Sequence, residues 1–154
     1  DLLGANRSHL PLLIEHLRKQ VSDSIKRNKD FFQNNADDVL IISNGFKDFI
    51  VPIVTEYGIK AENVYANTFT FDAAGNIVGF DTENPLSQAN GKVAQIKTLG
   101  LEGDIFVIGD GYTDYEIKKA GLANQFYAFT ENINREGVIK VADHVAPSFD
   151  EVLY

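Results

Sequence analysis

"FVIGDGYTDYEI", residues 106–117, is an apolar run that ends in two glycines and two aspartates. Phe106–Ile108 reads as a buried strand and "YTDYEIKKAG", 112–121, as the helix after it, closed by Gly121. Asp110 and Asp114 therefore stand where a strand hands over to a helix. Carboxylates that repel each other there need a compensating partner. A hard cation beside a phosphate is one, since Mg²⁺ takes one or two carboxylates with water and phosphate oxygens. Glycines flanking Asp110 would let backbone approach such a ligand closely. The bland alternative is a tight turn with exposed acids.

Working outward, "DVLIIS" gives a second apolar run, Val39–Ile42, ended by Ser43, with the look of a strand covered on both faces. "QFYAFT" is a third strand, and "DHVAPSFDEVL" a short strand followed by a helix capped by Ser148. Helical spacing recurs in Leu10, Leu13, Ile14, Leu17 and Val21, with Ser8 as N-cap and Pro11 in the first turn. "SDSIKRNKDFFQNN" predicts a second, more polar helix. Phe49, Ile50, Ile53, Val54 and Tyr57 predict a third, stopped at Gly58 and either kinked or begun at Pro52. "GKVAQIKTLG" gives a short helix, Lys92–Leu99. Residues 64–71 and 77–80 are expected to be the arms of a hairpin whose turn is "DAAGN". Strands alternating with helices imply an α/β fold with a parallel sheet, helices on both faces, and ligands at the C-terminal strand edge.

Composition narrows the partners. The 154 residues suit one domain, and 44% are hydrophobic. Fourteen Lys plus Arg against 22 Asp plus Glu leave a net charge of −8, which argues against nucleic acid but leaves room for a small phosphorylated substrate. The chain has no cysteine, which rules out disulfides and thiolate sites and agrees with a cytoplasmic location. No apolar run reaches the ~20 residues of a membrane span, and no signal peptide is visible. A chain without methionine that opens "DLLGAN" is expected to be a fragment or a processed product.

Three signals follow one another: "IISNGF" (41–46), "NGKVAQI" (90–96) and "GDGYTD" (109–114). Ser43 alone could cap a helix, and Lys92 alone could be a solvated lysine. Together they supply a hydroxyl, an ammonium and a chelating carboxylate, the minimum for holding a phosphoryl group next to a metal. His9, His16 and His144 show no ligand spacing, and the phenylalanines at 31, 32, 46, 49, 69 and 71 read as core. The acids at 37–38 and 150–151 read as solvated ends.

These segments resemble the second, third and fourth motifs of the haloacid-dehalogenase-type phosphatases. "LIISNGF" is similar to the "SGGF" segment of the phosphoserine-phosphatase subfamily, and a hairpin followed by "NGK" and "IGDGYTD" fits the same subfamily. The resemblance runs from about residue 22 to the C-terminus, and it implies a Rossmann-like parallel sheet with flanking helices and a β-hairpin insertion. It further implies that 1–21 is the remnant of a helical cap and 22–154 the core domain.

By that resemblance, Ser43 would hydrogen-bond the transferring phosphoryl group, helped by the amides of Asn44 and Gly45. Lys92 would neutralise the phosphate and pair with the nucleophile, and Asp110 would bind Mg²⁺. Asp114 would orient Lys92 or complete the metal's outer shell. Asn44 stands where the family usually has glycine. The substrate implied is a small phosphomonoester, O-phosphoserine foremost.

The family's first motif is a strand ending in Asp-x-Asp, whose first Asp is the nucleophile and whose second is the general acid/base. "ADDVL" precedes a strand, "TFDAAGN" is a turn, and "ADHVAPSFDE" has no apolar strand before its acids, so none qualifies. The missing strand is expected upstream, at the centre of the sheet between the strands of Ser43 and Asp110. The chain by itself is accordingly expected to be inactive, and to need its N-terminal segment or a complementing chain. Its unpaired sheet edge would favour association into oligomers. The resemblance also admits fusion to a serine-pathway dehydrogenase. Two rival readings are a catalytically inactive phosphate-binding or interaction module derived from such a phosphatase, and a flavodoxin-like or receiver-like domain. Receivers carry an acidic pair after their first strand, which is not seen here.

Overall fold

A computed structural model describes residues 4–153. In chain order the elements are α1 (Leu10–Arg18), α2 (Asp23–Arg27), α3 (Lys29–Asn34), β1 (Ile41–Phe46), α4 (Lys47–Val54), β2 (Val64–Asn67), β3 (Phe69–Phe71) and β4 (Ile77–Phe80). They continue as α5 (Gly91–Leu99), β5 (Phe106–Gly109), α6 (Tyr112–Lys119), β6 (Gln125–Phe129), α7 (Glu136–Ile139), β7 (His144–Ala146) and α8 (Asp150–Leu153). The chain divides into two compact units. One joins the residues up to Val21 with Lys29–Ala89; the other joins Ser22–Asn28 with the residues from Asn90 on.

In the first unit β1 and β2 pair in parallel, Ile41 with Val64 and Ile42 with Tyr65. Val64 and Ala66 are buried on this pair. α4 connects the two strands, packs on both, and also packs against α1. The strand expected over 39–42 begins two residues later and runs on through Phe46, because β2 extends far enough for Asn67 to pair with Phe46. Ser43 therefore lies within the strand rather than after it. Ile41 and Ile42 are half-buried, not covered on both faces.

β3 and β4 form the antiparallel hairpin, but residues 64–67 belong to the parallel pair, so only 69–71 serves as the first arm. The Asp72 carboxylate closes the turn by accepting from the amides of Ala74 and Asn76. The N-terminal segment lies along this hairpin: Gly4 N donates to Ile77 O (3.0 Å) and Arg7 N to Gly75 O (2.7 Å). The Arg7 guanidinium stands 4.5 Å over the Phe71 ring. Asn6, not Ser8, provides the cap, since its Oδ1 accepts from Ser8 N within a one-turn helix that leads into α1.

In the second unit β5, β6 and β7 form a parallel sheet in that order. Phe126, Ala128 and Val138 are its core, joined by Val107, Tyr115, Ile139 and Ala142. β5 is the edge strand, so Phe106 (55% exposed) and Ile108 (38%) are not buried as expected; only the alternate face, with Val107, turns into this core. The polar helix expected over 22–35 is broken at Asn28, whose backbone (φ −102°, ψ 24°) leaves the helical range. Its first half, α2, is tied into this unit. Ser24 N donates to Glu131 Oε1 (3.1 Å), Phe149 N donates to Ser24 Oγ (2.8 Å), and Arg27 and Asn28 reach Asp150. Asp150 is thus a bonded residue at a solvent-accessible helix start. At the start of α8, Ser148 Oγ donates to the Asp150 carboxylate at 3.3 Å and Ser148 O accepts from Glu151 N at 3.2 Å.

Candidate functional site

The residues singled out fall into both units. In the second unit the chain leaves β5 at Gly109, passes Asp110, and enters α6 through an extended Gly111 (φ −113°, ψ 159°). Asp114, in the first turn of α6, turns its side chain back: Oδ2 accepts from Gly111 N at 3.1 Å. Its other oxygen accepts from Lys92 Nζ at 2.6 Å. The two side chains are only 13% and 14% exposed, so this ion pair is largely shielded from water. Lys92 is presented by the first turn of α5, which Asn90 opens in the left-handed conformation (φ 56°) ahead of the buried Gly91. An acid at a helix N-terminus also favours the local dipole. Asp114 thus anchors a loop amide and a lysine at once.

Gly109 makes this possible. A Cβ built there would come within 2.6 Å of Asp114 Cβ, so the space belongs to the aspartate. The sequence pattern suggested that the glycines admit a ligand; at Gly109 the close approach is by Asp114.

Asp110 presents its carboxylate outward, 51% exposed, just past the end of β5. Arg135 attends it, with Nη1 donating to the Asp110 carbonyl at 3.0 Å and lying 3.6 Å from Oδ1. Nothing in "NREGVI" marks this arginine in sequence; the β6–α7 connection brings it here. One exposed carboxylate at a strand end can furnish part of a Mg²⁺ shell and not the whole of it. Among the described residues no three His, Cys, Asp or Glu side chains are grouped to hold a metal. A shallow groove between α5 and α6 is lined by Asn90, Val93, Lys97, Glu116, Lys119 and Ala120, none of them a candidate site residue from the motifs.

In the first unit the Ser43–Gly45 segment interrupts the β1–β2 register between Ile42 and Phe46. Ser43 Oγ accepts from Gly45 N at 2.9 Å. The Asn44 side chain donates to Leu86 O at 3.0 Å. Below it the Phe46 ring stacks on Phe69 at 3.9 Å, and Phe49 meets Phe69 edge-on.

No protein-family model matches the chain. Curated phosphoserine phosphatases do. The chloroplastic enzyme of Arabidopsis thaliana is 37% identical over 122 residues, 77% of this chain and 41% of its own length. That of Drosophila melanogaster is 33% identical over 144 residues, 91% of this chain and 53% of its own. The human protein is 30% identical over 155 residues, 99% of this chain and 68% of its own. The chain belongs to the phosphoserine phosphatase family. This is a family of phosphatase enzymes of the haloacid-dehalogenase type, and the chain spans about half the length of the first two relatives. Among solved structures, a phosphoserine phosphohydrolase-like protein from Francisella tularensis superposes with a TM-score of 0.76 at 28% identity, covering 91% of this chain and 67% of that one. DsGPDH of Dunaliella salina shares the fold, with a TM-score of 0.75 at 24% identity over 98% of this chain and 26% of its own. The α/β architecture with parallel sheets expected from sequence is that of this phosphatase family. No helix among the described residues is long and apolar enough to cross a membrane.

Proposed function

We propose that the chain is part of a Mg²⁺-dependent phosphomonoester hydrolase acting on O-phosphoserine, and that the nucleophilic Asp lies outside this chain. The observation that carries this is the shielded Lys92–Asp114 pair beside the outward-facing Asp110, at the end of a strand in a chain related to phosphoserine phosphatases. Asp114 holds the Lys92 ammonium in place through one oxygen and the loop amide of Gly111 through the other. So fixed, Lys92 offsets the charge of the phosphoryl group and of the attacking carboxylate. Ser43 Oγ and the Asn44 amide contribute neutral donors to the phosphoryl oxygens, and the Gly45 amide, which donates to Ser43 Oγ in the ligand-free chain, would turn to them when the ligand binds. Asp110 is the residue that would hold Mg²⁺, together with oxygens from outside the described chain. When bound, the cation would neutralise developing negative charge.

In the overall reaction the external Asp attacks phosphorus, serine leaves after protonation, and water cleaves the resulting acyl phosphate. The division into a cap remnant, 1–21, and a core, 22–154, belongs to this proposal. So do the need for an N-terminal segment or complementing chain, association through the open sheet edge, and cytoplasmic residence, although the Arabidopsis relative is chloroplastic. That DsGPDH carries the same fold in a much longer chain supports a module embedded in a larger polypeptide, such as a dehydrogenase fusion.

The test is O-phosphoserine hydrolysis by residues 1–154 and by the chain extended upstream through an Asp-x-Asp strand. The short chain is expected to be inactive. The extended one should turn over only with Mg²⁺ and lose about 10²–10³-fold on Lys92→Met. Turnover by residues 1–154 that survives Asp110→Asn would sink the proposal.

A further inference from the structure

The Ser43–Asn44–Gly45 segment is held from behind by asparagines that the proposed reaction leaves unused. Asn67, the last residue of β2, is 5% exposed and spends both amide protons. One goes to Asn44 O at 2.8 Å, the other to Leu86 O at 3.0 Å. Leu86 O takes a second donor, the Asn44 side chain, at 3.0 Å. The turn that carries Leu86 is itself fastened to β2, because Asn84 Oδ1 accepts from Leu86 N (3.0 Å) and Asn84 Nδ2 donates to Ala66 O (2.7 Å). The orientation of the Asn67 amide is fixed by chemistry: a flip would set its oxygen against two carbonyls. Its Oδ1 is buried with no partner among the described residues, so satisfying its own acceptor is not what holds this amide here. The two donated bonds are.

We propose that Asn67 is a positioning residue. Through the Asn44 carbonyl, and through the Leu86 carbonyl it shares with the Asn44 side chain, it sets the Ser43–Gly45 turn whose hydroxyl and amides face the phosphoryl group. The inference rests on the assignment of Ser43 and Gly45 to phosphoryl contact. It explains why asparagine stands at 44: the side chain is an arm of the clamp, and the backbone amide is left for the ligand. A residue whose role was only to fill space under β2 would loosen β2 itself when replaced, and would do so independently of Asn44.

Amide hydrogen exchange on the whole 154-residue chain separates these roles. Asn67→Leu keeps the branched shape at a larger volume and removes the donors. Exchange at Gly45, whose N–H donates to Ser43 Oγ, should speed up about tenfold, while Val64 and Ala66 in β2 keep their rates. Asn44→Ala, on the exposed side, should raise Gly45 exchange by less, and the double variant should match Asn67→Leu alone because both arms meet at Leu86. An unchanged Gly45 rate, equal acceleration at Val64 and Ala66, or strictly additive effects overturn the clamp. Should Asn67→Leu not fold, Asn44→Ala decides by the same Gly45 criterion. A parallel titration with inorganic phosphate should shift the Gly45 amide in the parent and about tenfold more weakly in Asn67→Leu. A parent that does not respond counts against the phosphoryl assignment, while the exchange rates still decide for or against the clamp.

Discussion

Lys92 Nζ donates to Asp114 Oδ1 at 2.6 Å, and the opposite oxygen of the same carboxylate holds the Gly111 amide at 3.1 Å. One side chain thus couples the start of α5 to the start of α6 in a place that water scarcely reaches. Removing one partner of a shielded pair strands the other charge. Asp114→Ala is therefore expected to destabilise the fold by about 3 kcal/mol, while the double replacement Lys92→Met with Asp114→Leu should recover most of that loss. Urea denaturation of the single and the double variant checks it. Equal losses in the single and double variants would mean the pair is not what stabilises this junction.

Gly109 and Gly111 flank Asp110 symmetrically in sequence and asymmetrically in space. A methyl at Gly109 would meet Asp114 Cβ at 2.6 Å, and Asp114 cannot retreat without releasing Lys92 and Gly111 N. At Gly111 the nearest atom would be Asp114 Oδ2 at 3.5 Å, an ordinary contact, and the backbone there is extended. Gly109→Ala should cost about 2 kcal/mol or more, and Gly111→Ala should stay within about 0.5 kcal/mol. Paired thermal melts decide; similar losses at the two positions would contradict the cradle.

The same glycines show what sequence conveys and what it withholds. Element type was legible wherever the pattern was local. The apolar run at 106–108, the helix from 112 closed by Gly121, and the turn at Asp72–Asn76 need only their own residues. What escaped were features set by distant partners. Residues 4–7 lie along the hairpin only because Ile77 and Gly75 offer them backbone groups. The helix breaks at Asn28 because its side chain turns to Ser24 O and Asp150. Val64–Asn67 leaves the hairpin because β1 provides a longer apolar partner. Of the candidate site, the residue types at 43, 92, 110 and 114 could be picked from motif order. Arg135 and Asn67 could not, since nothing near either in sequence signals a role.

Gly58 follows the one-turn helix Thr55–Tyr57 in the left-handed conformation, φ 82°. Space there is short as well as conformation special: a Cβ would lie 3.0 Å from Gln33 Cα in α3. Left-handed backbone costs an L-residue roughly 1–2 kcal/mol, and the contact with main-chain Gln33 adds to it. Gly58→Ala is expected to lower stability by at least about 2 kcal/mol. Replacing Gln33 by Ala in the same background should return only the share due to its Cγ, which would stand 2.8 Å from that Cβ, leaving the main-chain contact and the conformational share. Chemical denaturation of the single and double variants measures both, and a loss below about 0.5 kcal/mol in Gly58→Ala would refute the argument.

The attachment of α8 to α2 should fail in acid. The Arg27 guanidinium, donating through Nε at 3.0 Å, and then the Asn28 amide at 2.8 Å hold the Asp150 carboxyl below its ordinary value. Asp150 in turn raises Arg27. A carboxylate whose folded pKa is depressed contributes stability that is fully present above the unfolded value, about 3.9, and is lost as pH falls through the folded one. Both groups are exposed, so screening keeps the effect local and salt-dependent. The expected signature is an Asp150 carboxyl resonance that titrates below the unfolded carboxylate value at low salt. In Arg27→Ala its midpoint should move upward, since the largest cause of the depression is gone. Exchange at the Glu151 amide, which donates to Ser148 O at 3.2 Å, should accelerate across the same pH range. A midpoint at or above the ordinary value in the parent, or one that Arg27→Ala leaves in place, would show that this contact does not hold α8.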